Sequence, residues 1–513
     1  MGVFPQTIHF TGLNIPVRIE TSVRNLTVIG ALPAEISGAF FRAVPDPAHA
    51  PMHDDDVVLS GDGMISRFRI QNGHVDYDIR YVETERYKLE REARRALFGR
   101  YRNPYTDDPA VAGKDRTVAN TTPVWHAGRL FMTKEDGLAY EIDPETLATI
   151  GRFDFYGALR SQTFTAHPRV DPATGEMFFF GYEASGLCSR DIAYGIADAN
   201  GNLVSEHWFE APYCASVHDF AITGRYAIFP IFPTTADHDR LKAGGAHWAH
   251  QQDLESWVGI MPRYGKGDAL RWFKGPKGVS AFHIVNAFDD GDAIHLDLCL
   301  TDTNAFAFMR EAGGIHRQPW EIQGALTRWT FDMAQSANTF EERPIGPPGD
   351  LPRLRDADQG RPYRFAFYCS MNSQGGPPLP GGPVGAAFNA IVRIEPGDCR
   401  VEGMGRVEMM GLAPEMAISE PVHIESAQAG HDGWLLAVVD RRIAEDTFES
   451  ELWVIDAGNI AAGAVARVPM PVRMRPQVHG VRVSDAQLAT RATVRAQSSW
   501  DCADDRSWSP NTA

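Results

Sequence analysis

Four of the chain's 17 histidines share one kind of setting. His167 lies in "TAHP", His218 in "SVHDF", His283 in "AFHIVNAF" and His479 in "QVHGV", each at the edge of an apolar, strand-like run. Imidazole is a common metal ligand. Histidines spread this widely would meet if a radial β-fold carried one from each of several sheets to a shared axis. The spacing is unlike the local HExxH pattern of a zinc helix. Taken singly, each histidine reads better as a satisfied core residue at a strand edge than as a ligand, and local physics does not separate four from the rest.

Around them the chain is patterned as an all-β protein. Short apolar or alternating runs such as "MISRFRIQNGHVDYDIRYV", "GRLFMTKEDGLAYEID" and "GWLLAVVDRR" are separated by Gly, Pro, Asp and Asn. Gln71-Asn72-Gly73-His74 and Asp289-Asp290-Gly291-Asp292 have hairpin-turn composition, and Asp171 to Glu176 forms a turn just after His167. Two segments break the pattern and read as insertions covering one face, at about 84–115 and 234–262. The first opens with a helix from Thr84 to Phe98, with Thr84 able to cap it and Gly99 as its stop. A polar tail at about 497–513 reads as frayed, and residues 1–513 as one domain.

Composition excludes several function classes. With 66 Asp+Glu against 49 Lys+Arg, the formal charge is −17, a field that repels phosphate backbones and anionic lipid surfaces. No nucleic-acid partner and no stable membrane association are expected. The start, "MGVFPQTIHF", has no signal-peptide pattern, Gln6 stands where a myristoylation site wants Ser or Thr, and no apolar run approaches the ~20 residues of a membrane span. A cytoplasmic location follows as the expectation. The six cysteines lie far apart with no CxxC, which reads as reduced thiols and sets aside zinc-ribbon and thioredoxin chemistry.

The ordered strings "GAFFRAVPDP", "GDGMISRF", "YVETERY", "FGRYRNPYTD", "ANTTPVWHAGRL", "MPRYG", "FHIVNAFDDGD", "SEPVHI" and "QVHG" span nearly the whole chain. Together they resemble the carotenoid cleavage oxygenases and, within them, the stilbene-cleaving branch. The resemblance implies a seven-bladed β-propeller with a cap of loops and short helices over the metal face. It implies one Fe(II) per chain, held by His167, His218, His283 and His479, with O₂ as co-substrate. Relatives form dimers, so a homodimer is implied as well. Three acids would orient the imidazoles from behind through their second ring nitrogens: Glu135, Glu420 and the acid of "GDLPRL". The last is Asp350 where relatives commonly show Glu. One methylene shorter, it would reach its histidine directly or through water.

The segment "MTKEDG" selects the branch. In stilbene-cleaving relatives a lysine here, with the tyrosine of "GRYRNP", holds the substrate's 4-hydroxyl, which maps to Lys134 and Tyr101. A cation and a phenol beside a phenolic oxygen favour its ionised form, and a phenolate pushes electron density into the alkene para to it. In a regular strand Lys134 and Glu135 would point to opposite faces. Phe306 would form an aromatic wall, Leu59 stands where some relatives carry Phe, and Thr121 would sit near the metal's open face. The implied activity is cleavage of a 4-hydroxystilbene, a small aromatic alkene, into two aldehydes. The alternatives are an apocarotenoid or isoeugenol-type phenylpropene oxygenase, and a propeller scaffold without catalysis.

Overall fold

The computed structural model describes residues 3–492 apart from 307, 315–316, 375, 383 and 398–402. The expected tail at 497–513 lies outside the described residues, as do Cys399 and Cys502. Cys188, Cys214, Cys299 and Cys369 are free thiols.

Among the described residues, seven antiparallel sheets of four or more strands follow one another along the chain, with one small three-stranded sheet beside them. The central hairpins show the order. They are Gly63–Gln71 with His74–Tyr81 in the first sheet, Arg129–Thr133 with Ala139–Ile142 in the second, and Met177–Tyr182 with Asp191–Ala197 in the third. Tyr226–Ile231 with Glu255–Pro262, Ala293–Thr301 with Gly324–Asp332, Ala366–Ser370 with Ala390–Glu395, and Trp434–Ala444 with Thr447–Asp456 serve the fourth to seventh. The hairpin expected at Gln71 to His74 is present, with Asn72 (φ 53°) and Gly73 (φ 78°) both left-handed, as a two-residue turn requires. The turn after His167 is closed by the Asp171 N–H donating to the Glu176 carbonyl at 2.9 Å.

Many strands are apolar on successive residues, and the packing explains why. In Gly38–Pro45, every residue is buried; Phe40 packs toward the seventh sheet and Phe41 toward the second. Side chains alternate across a strand, so a strand buried on both faces carries a continuous apolar run. Seven such clusters link the sheets pairwise. Phe41 and Ile65 meet Leu130 and Met132, Phe131 and Phe153 meet Met177 and Phe179, and Phe178 meets Phe229. Ile228 and Ile260 meet Leu296, Leu326 and Ile345 meet Tyr368, Phe367 and Ile391 meet Leu435, and Leu436 returns to Phe40. The sheets thus form a closed cycle. The first sheet is completed by Gly480–Ser484, which pairs with Gly38–Pro45 in the register Arg42↔Gly480.

Two expectations for the cap need correction. The first helix is Glu85–Ala93, capped at 3.1 Å by the Thr84 hydroxyl accepting from the Tyr87 N–H, but it ends at left-handed Arg94 (φ 56°) rather than at Gly99. The Glu90 carboxylate accepts the N–H groups of Leu97 and Phe98 at 2.8 and 3.0 Å, which folds the following chain back against the helix. The second insertion ends near residue 254, because Glu255–Pro262 is a full strand of the fourth sheet pairing with Tyr226–Ile231. A third insertion at 302–323 went unrecognised in the sequence. Its Arg310–Glu311 pairs in parallel with Ala249–His250, tying it to the second insertion. Among the described residues no helix is long and apolar enough to cross a membrane.

Candidate metal centre and cavity

The strands next to the axis of the cycle begin beside the four histidines. His167 precedes Arg169–Val170 of the third sheet, His218 precedes Ala221–Ile222 of the fourth, His283 lies within Ser280–Asp290 of the fifth, and His479 precedes Gly480–Ser484 of the first. Their rings converge. The Nε2 atoms of His167 and His218 are 3.0 Å apart, those of His218 and His283 3.1 Å, and those of His283 and His479 3.2 Å. All four ligand atoms lie within 4.8 Å of one another, with His167 half-buried and the others buried.

The remaining three sheets supply the acids. Glu135 follows Arg129–Thr133 of the second sheet and pairs with Nδ1 of His218. Asp350 opens Asp350–Arg353 of the sixth and accepts from Nδ1 of His283 at 2.7 Å, so the shorter acid reaches its histidine directly. Glu420, between Met416–Ile418 and Val422–Ile424 of the seventh, accepts from Nδ1 of His479 at 2.8 Å. It also accepts from the Gly480 N–H at 2.9 Å and from Arg353 at 3.0 Å. Each sheet therefore contributes one polar group to the axis.

This donor set fits a cation. With Nδ1–H committed to a carboxylate, Nε2 of the same neutral ring is a lone pair, and three such lone pairs face one another and His167 at contact distance. Nitrogens bound to one first-row metal at about 2.1 Å and at right angles would be about 3.0 Å apart. Burial and the three neighbouring imidazoles hold His167 well below the usual histidine pKa, and burial pushes His479 down to about 4 despite Glu420. For His283, burial is outweighed by the Asp350 carboxylate, which raises its proton affinity and would equally favour a metal cation at Nε2. Burial would also raise Glu420, but Arg353 and His479 hold it at about 2.

A cavity of about 870 Å³, counted out to its open mouth, reaches His218, His283 and His479. Leu59, Tyr101, Thr121, Lys134, Glu135 and Phe306 line it as well, so the expected pocket residues come together; His167, Asp350 and Glu420 stand outside the lining. Lys134 and Glu135 do not alternate across a strand. The strand ends at Thr133, and both side chains reach the cavity wall. Lys134 is 1% exposed, and its Nζ donates to Asn120 Oδ1 at 3.0 Å and lies 5.4 Å from the centre of the Tyr101 ring. Burial lowers the proton affinity of Lys134 and raises that of Tyr101.

Sequence reasoning missed much of the outer wall. Trp248, Phe282 and Phe308 line the cavity, the last two around Phe306. Behind Tyr101 and Trp248, Arg102 donates to the Tyr182 hydroxyl at 2.8 Å and to Glu183 at 2.5 Å, and His247 contacts Glu183 at 3.1 Å. All three members of this ionic triad are buried. Burial works against the Glu183 charge, but His247 and Arg102 hold its pKa at about 2. The adjacency of Arg102 to Tyr101 and of His247 to Trp248 was the only local signal.

A sequence profile described as "Retinal pigment epithelial membrane protein" matches residues 14–484. The chain belongs to this family, the carotenoid cleavage oxygenases. It is 38% identical over 488 residues to lignostilbene-alpha,beta-dioxygenase isozyme III of Sphingomonas paucimobilis, covering 94% of this chain and 98% of that one. It is 39% identical over 487 residues to an isoeugenol monooxygenase of Pseudomonas nitroreducens, covering 92% and 97%. The crystal structure of Pseudomonas brassicacearum lignostilbene dioxygenase superposes with a TM-score of 0.89 at 39% identity, covering 94% of this chain and all of that one. Members of the family are iron-dependent oxygenases that use O₂, and the four-histidine group fits a single iron. The protein is a non-heme iron oxygenase.

Proposed function

We propose that the protein splits the central C=C bond of a 4-hydroxystilbene with O₂, giving two aromatic aldehydes that each keep one oxygen atom. The observation that carries this reading is the buried Lys134 beside Tyr101 on the wall of a largely apolar cavity that also holds three of the converging imidazoles. His167, His218, His283 and His479 would hold the iron, whose part when bound is to activate O₂. Glu135, Asp350 and Glu420 fix the tautomer and plane of three of the rings.

The chain's own residues prepare the alkene. A phenol ionises near pH ~10, close to an ordinary lysine, and burial lowers the proton affinity of Lys134. Proton transfer from the phenol to Nζ creates an ammonium–phenolate pair. Such a pair is worth more in a poorly polarisable cavity than in water. Tyr101 lies beside the same oxygen and would donate to it. The resulting phenolate raises electron density at the alkene, while Phe282, Phe306, Phe308 and Trp248 enclose the rings and exclude water. Leu59 and Thr121 complete the wall.

The relation to an isoeugenol monooxygenase matches that to the lignostilbene enzyme, so a 4-hydroxyphenylpropene is the second reading. Both substrates place a 4-hydroxyl para to the alkene. The test is anaerobic Fe(II) loading, then exposure to isotopically labelled O₂ with 4-hydroxystilbene, its 4-methoxy analogue or isoeugenol, and mass identification of the aldehydes. The expected result is cleavage of the free phenol only, with one label per aldehyde. Equal cleavage of the methoxy analogue would remove the phenolate step, and cleavage of isoeugenol alone would favour the second reading.

A further inference from the structure

Asn120 is fully buried and stands outside the cavity lining, yet three cavity residues meet on it. Its Nδ2 donates to the carbonyls of Leu59 and Gly61 at 3.0 and 2.8 Å. Two carbonyl acceptors can be served only by the NH₂ end, so the amide has one allowed orientation. Its Oδ1 then accepts from Nζ of Lys134 at 3.0 Å and from the Thr121 hydroxyl at 3.1 Å. An ammonium carries three N–H bonds in a tetrahedral array, so anchoring one restricts where the other two can point.

We propose that Asn120 is a positioning residue that aims the Lys134 ammonium at the substrate's phenolic oxygen by tying it to the turn around Leu59 and Gly61. The inference rests on the reading of Lys134 as the phenol's partner. It also explains why the position carries an amide. A carboxylate there would lose the donors that serve the two carbonyls, pair with Lys134 as a full charge, and oppose a phenolate nearby.

The test is anaerobic binding of 4-hydroxystilbene and 4-methoxystilbene to the iron-loaded enzyme, followed through the dissociation constants and the long-wavelength absorbance of bound phenolate. Wild type, Lys134→Ala, Asn120→Asp and the double variant form a cycle. Asn120→Asp is expected to weaken binding of the phenol about tenfold and to suppress the phenolate band, while binding of the methoxy analogue changes less than about twofold. In the Lys134→Ala background the same substitution should leave the ratio of the two constants unchanged.

Should Asn120→Asp weaken both ligands alike, or act equally in both backgrounds, Asn120 is a structural staple and the inference falls. Should Lys134→Ala alone leave the phenol's preference intact, the phenol reading fails, and that arm identifies it as the cause. If Asn120→Asp does not fold, Asn120→Ser takes its place. Its shorter hydroxyl no longer spans from the two carbonyls to Nζ, and the same two criteria decide.

Discussion

The centre and the cap of this protein are held by different means. At the centre each of the seven sheets delivers one histidine or one acid, placed by the register of its innermost strand or the turn beside it. In the cap, the first two insertions, of mostly irregular chain, are fastened to the third sheet by a buried triad of Arg102, Glu183 and His247, with Glu183 at 2.5 Å from one partner and 3.1 Å from the other, and the third insertion is tied to the second by the pairing of Arg310–Glu311. Backbone pairing resists single substitutions, whereas a side-chain fastening fails when one partner is removed. The comparison teaches that metal retention and substrate choice can be altered separately.

The sharpest way to break this division is at the axis. His479→Ala is expected to abolish aldehyde formation and reduce bound iron to background while leaving the unfolding temperature near that of wild type, read by metal analysis and thermal melting. Next comes Lys134→Ala, expected to lower kcat/KM for 4-hydroxystilbene about a hundredfold with a full complement of iron. Loss of iron in that variant would show that the substrate wall and the metal centre are not independent. Asp350→Ala should weaken iron binding roughly ten- to a hundredfold, seen by competition with a chelator, because His283 loses the acceptor for its Nδ1–H.

Glu183→Gln probes the other side. It should retain iron, raise KM more than it lowers kcat, and cost about 3 kcal/mol of stability, because Arg102 is left buried with a weaker partner. The smallest effect is on pH dependence. Glu183 is depressed from 4.5 to about 2, so its contribution is complete above pH 4.5 and is lost as the pH falls toward 2. Denaturant melts across that window should show a shallower loss of stability in Glu183→Gln than in wild type. A parallel loss in both proteins would remove the triad from the account.

Much of the scaffold was legible because period-two runs and turn residues are local. "MISRFRIQNGHVDYDIRYV" reads as two strand-like runs about a turn, and Asn72-Gly73 can hardly be anything but a tight turn. The four histidines shared a local setting, but their meeting depended on the order of whole sheets, and only resemblance singled them out. What escaped detection depends on partners remote in sequence. Arg94 ends the first helix because Glu90 captures the amides beyond it, and Glu183 joins Arg102 and His247, 81 and 64 residues away. Lys134 and Glu135 escape the alternation because their strand ends at Thr133, two residues short of Glu135.

The closure of the first sheet has a consequence for biosynthesis. Arg42 and Gln477, 435 residues apart in the chain, are neighbours at this seam, and His479 lies just beyond it. A growing polypeptide can assemble the earlier sheets one after another, but its fourth imidazole arrives only with the strand that shuts the ring. Nascent intermediates therefore present at most three imidazoles. Complete loading with iron must follow ring closure, and the strand beside His479 determines when the polypeptide becomes an enzyme.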